Sequence, residues 1–184
     1  MKLKIIIIAA VYILGLVYLT LPSPAYPDLS NAMRSQEAGD TWQNPDQKGY
    51  YTNLTRPEVL GQLQSKFQVK IFGWAIPSYR LNYRPEEAAT IIRDQLDSYY
   101  LEEIVYPFRE SLFVNGWEPT NSPRFVGQAK MKIPNISFEG TPYLSKVTLK
   151  PVRSNVFARV AIWTLIFPCT YLVFLSLKKS IKNV

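Results

Sequence analysis

Two stretches of the chain show no polar alternation. Ile5–Leu21 reads IIIIAAVYILGLVYLTL, 17 residues without a charge, and Val160–Leu177 reads VAIWTLIFPCTYLVFLSL, 18 residues without a charge. At about 1.5 Å per residue, each predicts a helix just long enough for a hydrocarbon core. Lys2 and Lys4 flank the first, and Lys178 and Lys179 close the second. Such side chains bury their stems and carry their charge to the headgroups. Arg159 is expected to do the same at the other end of the second stretch. A cleaved signal peptide competes for the first stretch, because Ser23-Pro24-Ala25 has the small-x-small form of a cleavage site. Its apolar run exceeds the usual leader length of about 7–15 residues, so it reads as an uncleaved anchor that keeps Met1 or Lys2. Pro168 falls inside the second stretch. With its neighbour Cys169 it is expected to mark a kink or a packing notch between helices.

The pattern between the two stretches changes several times. Residues 22–48 carry Pro22, Pro24, Pro27 and Pro45 among polar residues. They predict an extended linker with a short helix around Asn31–Ala38. Thr55 can then cap a helix over Arg56–Phe67, with Pro57 and Glu58 suited to its first turn. Val59, Leu60, Leu63 and Phe67 recur at helical spacing on its core face. Gln68–Trp74 alternates and predicts a strand.

The most regular pattern lies between Pro85 and Val114. Ile92, Leu96, Tyr100, Ile104, Phe108 and Leu112 recur every fourth residue and predict a long helix. Arg93 and Asp97 would pair on its polar face, Pro107 would kink it, and Asn115-Gly116 would supply its C-cap. Beyond Pro123, Arg124–Ile136 and Tyr143–Val152 read as strands around a turn at Glu139–Pro142. Val126, Ala129, Met131, Ile133, Val147 and Leu149 would point inward.

The expected fold is a membrane protein with N- and C-terminal transmembrane helices flanking a small α+β extramembrane domain, its helices packed on a short antiparallel sheet. The expected parts are a cytoplasmic N-terminus (1–4), the first span (5–21), the linker (22–48), the domain (49–154), the second span (155–177) and a basic tail (178–184).

Charge refines this picture. The formal net charge is +7, yet residues 22–154 hold 15 Lys/Arg against all 14 Asp/Glu. The excess sits beside or within the apolar stretches, so the electrostatic footprint of a nucleic-acid binder is missing. Lysines outside both stretches favour cytoplasmic termini and an extracytoplasmic domain. Lys146, Lys150, Arg153 and Arg159 pull the other way, but the first helix usually dominates. The expected location is therefore a plasma or inner membrane.

Candidate chemistry narrows quickly. The chain has no histidine and one cysteine, which excludes an intramolecular disulfide, histidine general bases and Ser-His-Asp or Cys-His arrangements. No Walker loop, GxGxxG or GxSxG is present. Asp94, Asp97, Glu102, Glu103 and Glu110 are expected along one helix as a charge-paired face, not as carboxylates opposed across a cleft. Asn44, Asp46 and Gly49 resemble the start of a calcium loop, but Thr55 stands where an acidic ligand is required. Ser65-Lys66 and Ser145-Lys146 could form a Ser-Lys hydrolase dyad, although adjacency in a strand puts the two side chains on opposite faces. Asn53 and Asn135 begin glycosylation sequons, which matter only in a eukaryotic lumen.

By elimination, the sequence points to a non-enzymatic two-pass protein with no metal or cofactor. Its partners would be the bilayer and either a membrane or envelope protein or a second copy of itself. Tyr79, Arg80, Tyr83 and Arg84 are the candidate partner-binding residues, because aromatic and arginine side chains dominate interfaces. A histidine-independent hydrolase and an extracytoplasmic binding module for a small molecule or glycan are the alternatives.

Overall fold

A computed structural model describes residues 2–92, 98–118 and 136–182. In chain order its elements are α1 (Lys2–Thr20), β1 (Ala32–Arg34), β2 (Lys48–Thr52), α2 (Arg56–Lys66), β3 (Lys70–Ile71), β4 (Trp74–Ala75), β5 (Tyr79–Tyr83), α3 (Ala88–Ile91), β6 (Tyr100–Val105), β7 (Ser111–Trp117), β8 (Ile136–Phe138), β9 (Thr141–Tyr143), β10 (Ser145–Val152) and α4 (Val156–Lys182). Single turns of 3-10 helix occupy Ala38–Asp40 and Pro85–Glu87. The chain divides into two compact units, Met1–Pro22 with Ser154–Val184, and Ser23–Arg153.

In the first unit, α1 and α4 are each long and apolar enough to cross a membrane by length and composition. Their apolar side chains are mostly exposed, whereas a core helix would bury a stripe of them. The two helices pack through a notch at Gly15, where an added Cβ would collide with the Trp163 indole. Trp163 Nε1 donates to the Tyr12 carbonyl at 3.1 Å, and the Tyr12 and Thr164 hydroxyls lie 3.2 Å apart. Phe167 meets the Tyr12 and Trp163 rings edge-on. Tyr12 thus meets Thr164 and Phe167 while Gly15 meets Trp163, so the helices run antiparallel. Pro168 and Cys169 are exposed, and the notch belongs to α1, at its one residue without a side chain.

The second unit is built on a six-stranded antiparallel sheet of order β1-β2-β10-β7-β6-β5. The register puts Tyr100, Glu102 and Ile104 of β6, Leu112 and Val114 of β7, and Val147 and Leu149 of β10 on one face. Helix α2 covers that face with Val59, Leu60 and Leu63, all at or near zero exposure. Each such buried side chain contributes about 1.5–3 kcal/mol. On the other face, Ala88 and Ile92 pack on Leu101, with Tyr83, Ile91 and Phe113 around them. The β8–β9 hairpin stacks Phe138 on Tyr51 at 5.1 Å and brings Tyr143 alongside.

The amino-terminal half is close to expectation at α2. Thr55 and Glu58 form a reciprocal capping box, and Phe67 is buried beside the helix. Residues 23–47, expected as a linker, instead belong to the sheet unit: β1 pairs with β2, and Ser35 and Asp40 are buried. Gln68–Trp74 is a tight hairpin and not one strand, because Phe72 (φ 48°) and Gly73 (φ 85°) turn the chain between β3 and β4.

The long helix expected over Pro85–Val114 is a correction. Helical structure begins at Pro85 but has ended by Ile92, and β6 and β7 follow, joined at Pro107–Arg109. A spacing of four is two strand periods as well as about one helical turn, so Tyr100 and Ile104 share a strand face equally well. Both faces of β6 are buried, so the alternation that marks a half-buried strand is missing. Asn115-Gly116 is no cap but lies within β7, where the Tyr100 ring covers Gly116 so closely that a Cβ would collide with it. Leu96, the Arg93–Asp97 pair, and the strand expected over 124–135 lie outside the described residues. Strand β10 lies within the expected Tyr143–Val152, but the turn expected over Glu139–Pro142 is confined to Glu139-Gly140, because Thr141–Tyr143 form β9 against β8.

Candidate functional site

Strand β5 carries three of the four residues singled out for recognition. Among the described residues it is an edge strand, hydrogen-bonded to β6 alone. Tyr79 is 64% exposed and Leu81 45%, and they share the face that also carries Tyr83. Tyr83 is half-buried. Its ring packs on Phe113 and its hydroxyl donates to Glu103 at 2.5 Å. That bond to a carboxylate, with some desolvation, pushes the hydroxyl up to about 12. Arg84 is exposed just beyond the strand.

Arg80 points to the opposite face and has an internal role. Its Nε lies 2.8 Å from Glu102 Oε2, and Glu102 is buried on β6. Arg56 of α2 binds the other oxygen of Glu102, donates to Asn82 Oδ1 at 3.0 Å and lies over the Tyr100 ring. A buried carboxylate without such partners would be strongly destabilising. Arg80 and Arg56 therefore hold β5 and α2 to β6. Among the described residues no strand pairs with the outer edge of β5; Tyr79 and Leu81 stand exposed on it, while Arg80 and Tyr83 hold it in place.

The described candidates for chemistry are engaged inside the fold. Lys146 Nζ bridges Glu37 and Asp40, each at 2.7 Å. Ser35 donates to Asp40 at 2.6 Å, and Tyr51 donates to Glu37. Burial alone would lower the Lys146 pKa, but the bonds to Asp40 and Glu37 outweigh it and raise it. Burial would raise Glu37, and Lys146 and Tyr51 outweigh it to hold Glu37 below the usual carboxylate range. A lysine general base requires the opposite shift. Ser145 lies on the other face of β10, with its hydroxyl on the Thr52 carbonyl. Ser65 donates to Gln62 O, and Lys66 binds Asp28 O and Ser30. Neither Ser-Lys pair converges. Glu103 accepts from Ser111 as well as Tyr83, and Glu110 accepts from Ser23 and Arg109. Asp94 and Asp97 lie outside the described residues.

Among the described residues no three acidic or sulfur side chains gather as a metal site. Asn44 donates to the Gly39 carbonyl and Gly49 sits inside β2 against Asp40, so no calcium loop forms there. Asn53 is exposed and accepts from the Leu144 amide, while Asn135 is not among the described residues. No family model, curated protein or solved structure matches the chain.

The sequence reading missed Phe72 and Trp74, which are 96% and 79% exposed on the β3–β4 hairpin. Their signal was the Phe-Gly pair between two short apolar runs, the position of a two-residue hairpin turn. The Arg56–Glu102–Arg80 cluster had no such signal, because its members meet only through sheet register and α2 packing.

Proposed function

We propose that this chain is a two-pass membrane protein whose sheet unit, on the extracytoplasmic side, binds an extended segment of another membrane or envelope protein. The partner segment adds to the sheet beside β5, so main-chain hydrogen bonds supply affinity and pockets beside Tyr79 and Leu81 supply selectivity. The role is binding and not catalysis. The observation that carries the reading is an edge strand of five residues with an exposed Tyr79 and Leu81. It has no proline or bulge of the kind that natural edges use to refuse a neighbour, and its one charge, Arg80, is paired inward with Glu102. The internal engagement of Lys146, Glu37, Asp40, Glu102 and Glu103 supports a structural and not a chemical role for the ionisable groups. The length and apolarity of α1 and α4 and their lysine flanks support the two spans and the orientation.

A photo-crosslinking residue at position 81 tests the binding reading. In native membranes it should give one discrete protein adduct, a probe at Gly61 should not, and Tyr79→Ala should weaken the adduct without changing expression. Equal adducts from both positions, or none from 81, would remove strand addition. Orientation is tested by Gly61→Cys in a Cys169→Ser background. Gly61 is exposed, with open space where a side chain would go. Labelling by impermeant maleimide in intact cells is expected, and labelling only after lysis would reverse the topology.

A further inference from the structure

Among the described residues of the sheet unit the exposed large aromatics are Trp42, Phe72, Trp74, Tyr79 and Phe108, and all but Trp42 gather at one end of it. Tyr79 opens β5 opposite Val105, where β6 ends. Phe108 lies in the turn that follows β6. The β3–β4 hairpin springs from the same end, because Tyr106 receives the Val69 amide and donates to the Phe67 carbonyl, both at 3.1 Å.

The chain also enters and leaves the unit at this end. Ser23 donates to Glu110 beside the β6–β7 turn, and Val152, the last residue of β10, pairs with Ser111 at the start of β7. Pro22 and Ser154, the next residues outward, begin the connections to α1 and α4. Exposed Lys70 and Arg153 flank the aromatics.

Phe72 is the sharpest of these observations. It is almost wholly exposed and holds a left-handed backbone. That conformation costs an L-residue roughly 1–2 kcal/mol, and Asn or Gly is the usual occupant of the first turn position. An aromatic ring held in water on a strained turn forgoes both burial and relaxed backbone. Strain of this kind concentrates where a protein engages something outside itself.

We propose that this end of the sheet unit docks on the lipid–water interface, with Phe72 and Trp74 as anchors. Trp and Tyr concentrate at that interface, and Phe and Trp on a basic surface enter it to a depth of about 5–10 Å. The inference rests on the reading of α1 and α4 as spans, since those spans hold the tethered end at the bilayer.

The test uses the full chain with Cys169→Ser, reconstituted in phosphatidylcholine vesicles containing some phosphatidylglycerol. A fluorophore is placed singly at Phe72→Cys, at Trp74→Cys, at Glu86→Cys beyond the opposite end of β5, or at Leu172→Cys in α4. Lipids carrying a nitroxide close to the headgroup should quench positions 72 and 74 severalfold more than position 86. Lipids with a nitroxide near the chain terminus should quench position 172. Quenching at 172 with positions 72 and 74 no darker than 86 overturns the docking and leaves the spans standing. Absence of quenching at 172, 72 and 74 removes the spans and the docking together. Equal quenching at 72 and 86 also overturns the proposal, because it reports contact without a preferred end.

Discussion

Lys146 holds two carboxylates at once. It neutralises the buried Asp40 and the half-exposed Glu37, so Lys146→Ala leaves an uncompensated carboxylate in the fold. We expect a loss of about 3–5 kcal/mol, measured by urea denaturation. The pH dependence follows from the same cluster. Glu37 and Asp28 have lowered folded-state values, Asp28 through Lys48 and Tyr50. Their stabilisation is complete above the ordinary values of 4.5 and 3.8 and is lost as pH falls through the lower folded ones. Lys146 is raised, so its contribution is complete below 10.5 and is lost as pH rises through its folded value. Unfolding free energy should therefore form a plateau between about pH 5 and pH 10, and Lys146→Met should make both flanks shallower while leaving the share of Asp28 on the acid side. At Phe72 the expectation has the opposite sign. Phe72→Asn suits the left-handed turn and should stabilise the unit by about 1 kcal/mol, while reducing lipid quenching at position 74. None of these couplings was legible in the sequence. Lys146 reaches Glu37 and Asp40 only because β10 lies beside β2, and no local pattern states that neighbour.

At the scale of elements, legibility followed how local the deciding interactions are. The α2 cap involves residues three apart, so Thr55 and Glu58 announced it. Thr55→Ala is expected to cost about 1 kcal/mol, visible as a shift in the denaturation midpoint. The Glu139-Gly140 turn and β10 were readable for the same reason. Strand β6 was not, because Glu102 and Glu103 favour a helix and the Tyr100–Ile104 spacing fits one. What overrides that preference is non-local: Arg56 and Arg80 offset the charge of Glu102, and Tyr83 and Ser111 donate to Glu103, once β5, β7 and α2 are in place. The recognition residues divided for a similar reason. Tyr79 is available on the edge, but Arg80→Ala would deprive the buried Glu102 of a partner. It should therefore lower stability as well as binding, whereas Tyr79→Ala should lower binding alone; thermal melts run beside crosslinking yields separate the two. Leu81→Lys should abolish the crosslinked adduct at unchanged stability, since the side chain is already half in water.

At the scale of the molecule, the two apolar helices were plain in the sequence, whereas the notch between them lies at a residue that hydropathy ignores. Gly15→Leu should push Trp163 off α1. In a Cys169→Ser background, the yield of a Tyr12→Cys/Thr164→Cys disulfide should fall sharply when Gly15 is replaced. The order of strands carries a different consequence. The sheet places β10, its last strand in the sequence, at its centre between β2 and β7. While the chain is being made, β2 and β7 each present a bare edge until residues 145–152 emerge, and α4 follows almost at once. The sheet unit therefore cannot close before the second apolar segment is nearly due for insertion. A nascent chain stalled before Ser145 would hold two open edges, the state from which β-proteins aggregate. Ribosome-stalled chains ending before and after β10 should differ abruptly in protease resistance, and that step would date the moment the centre of the sheet is filled.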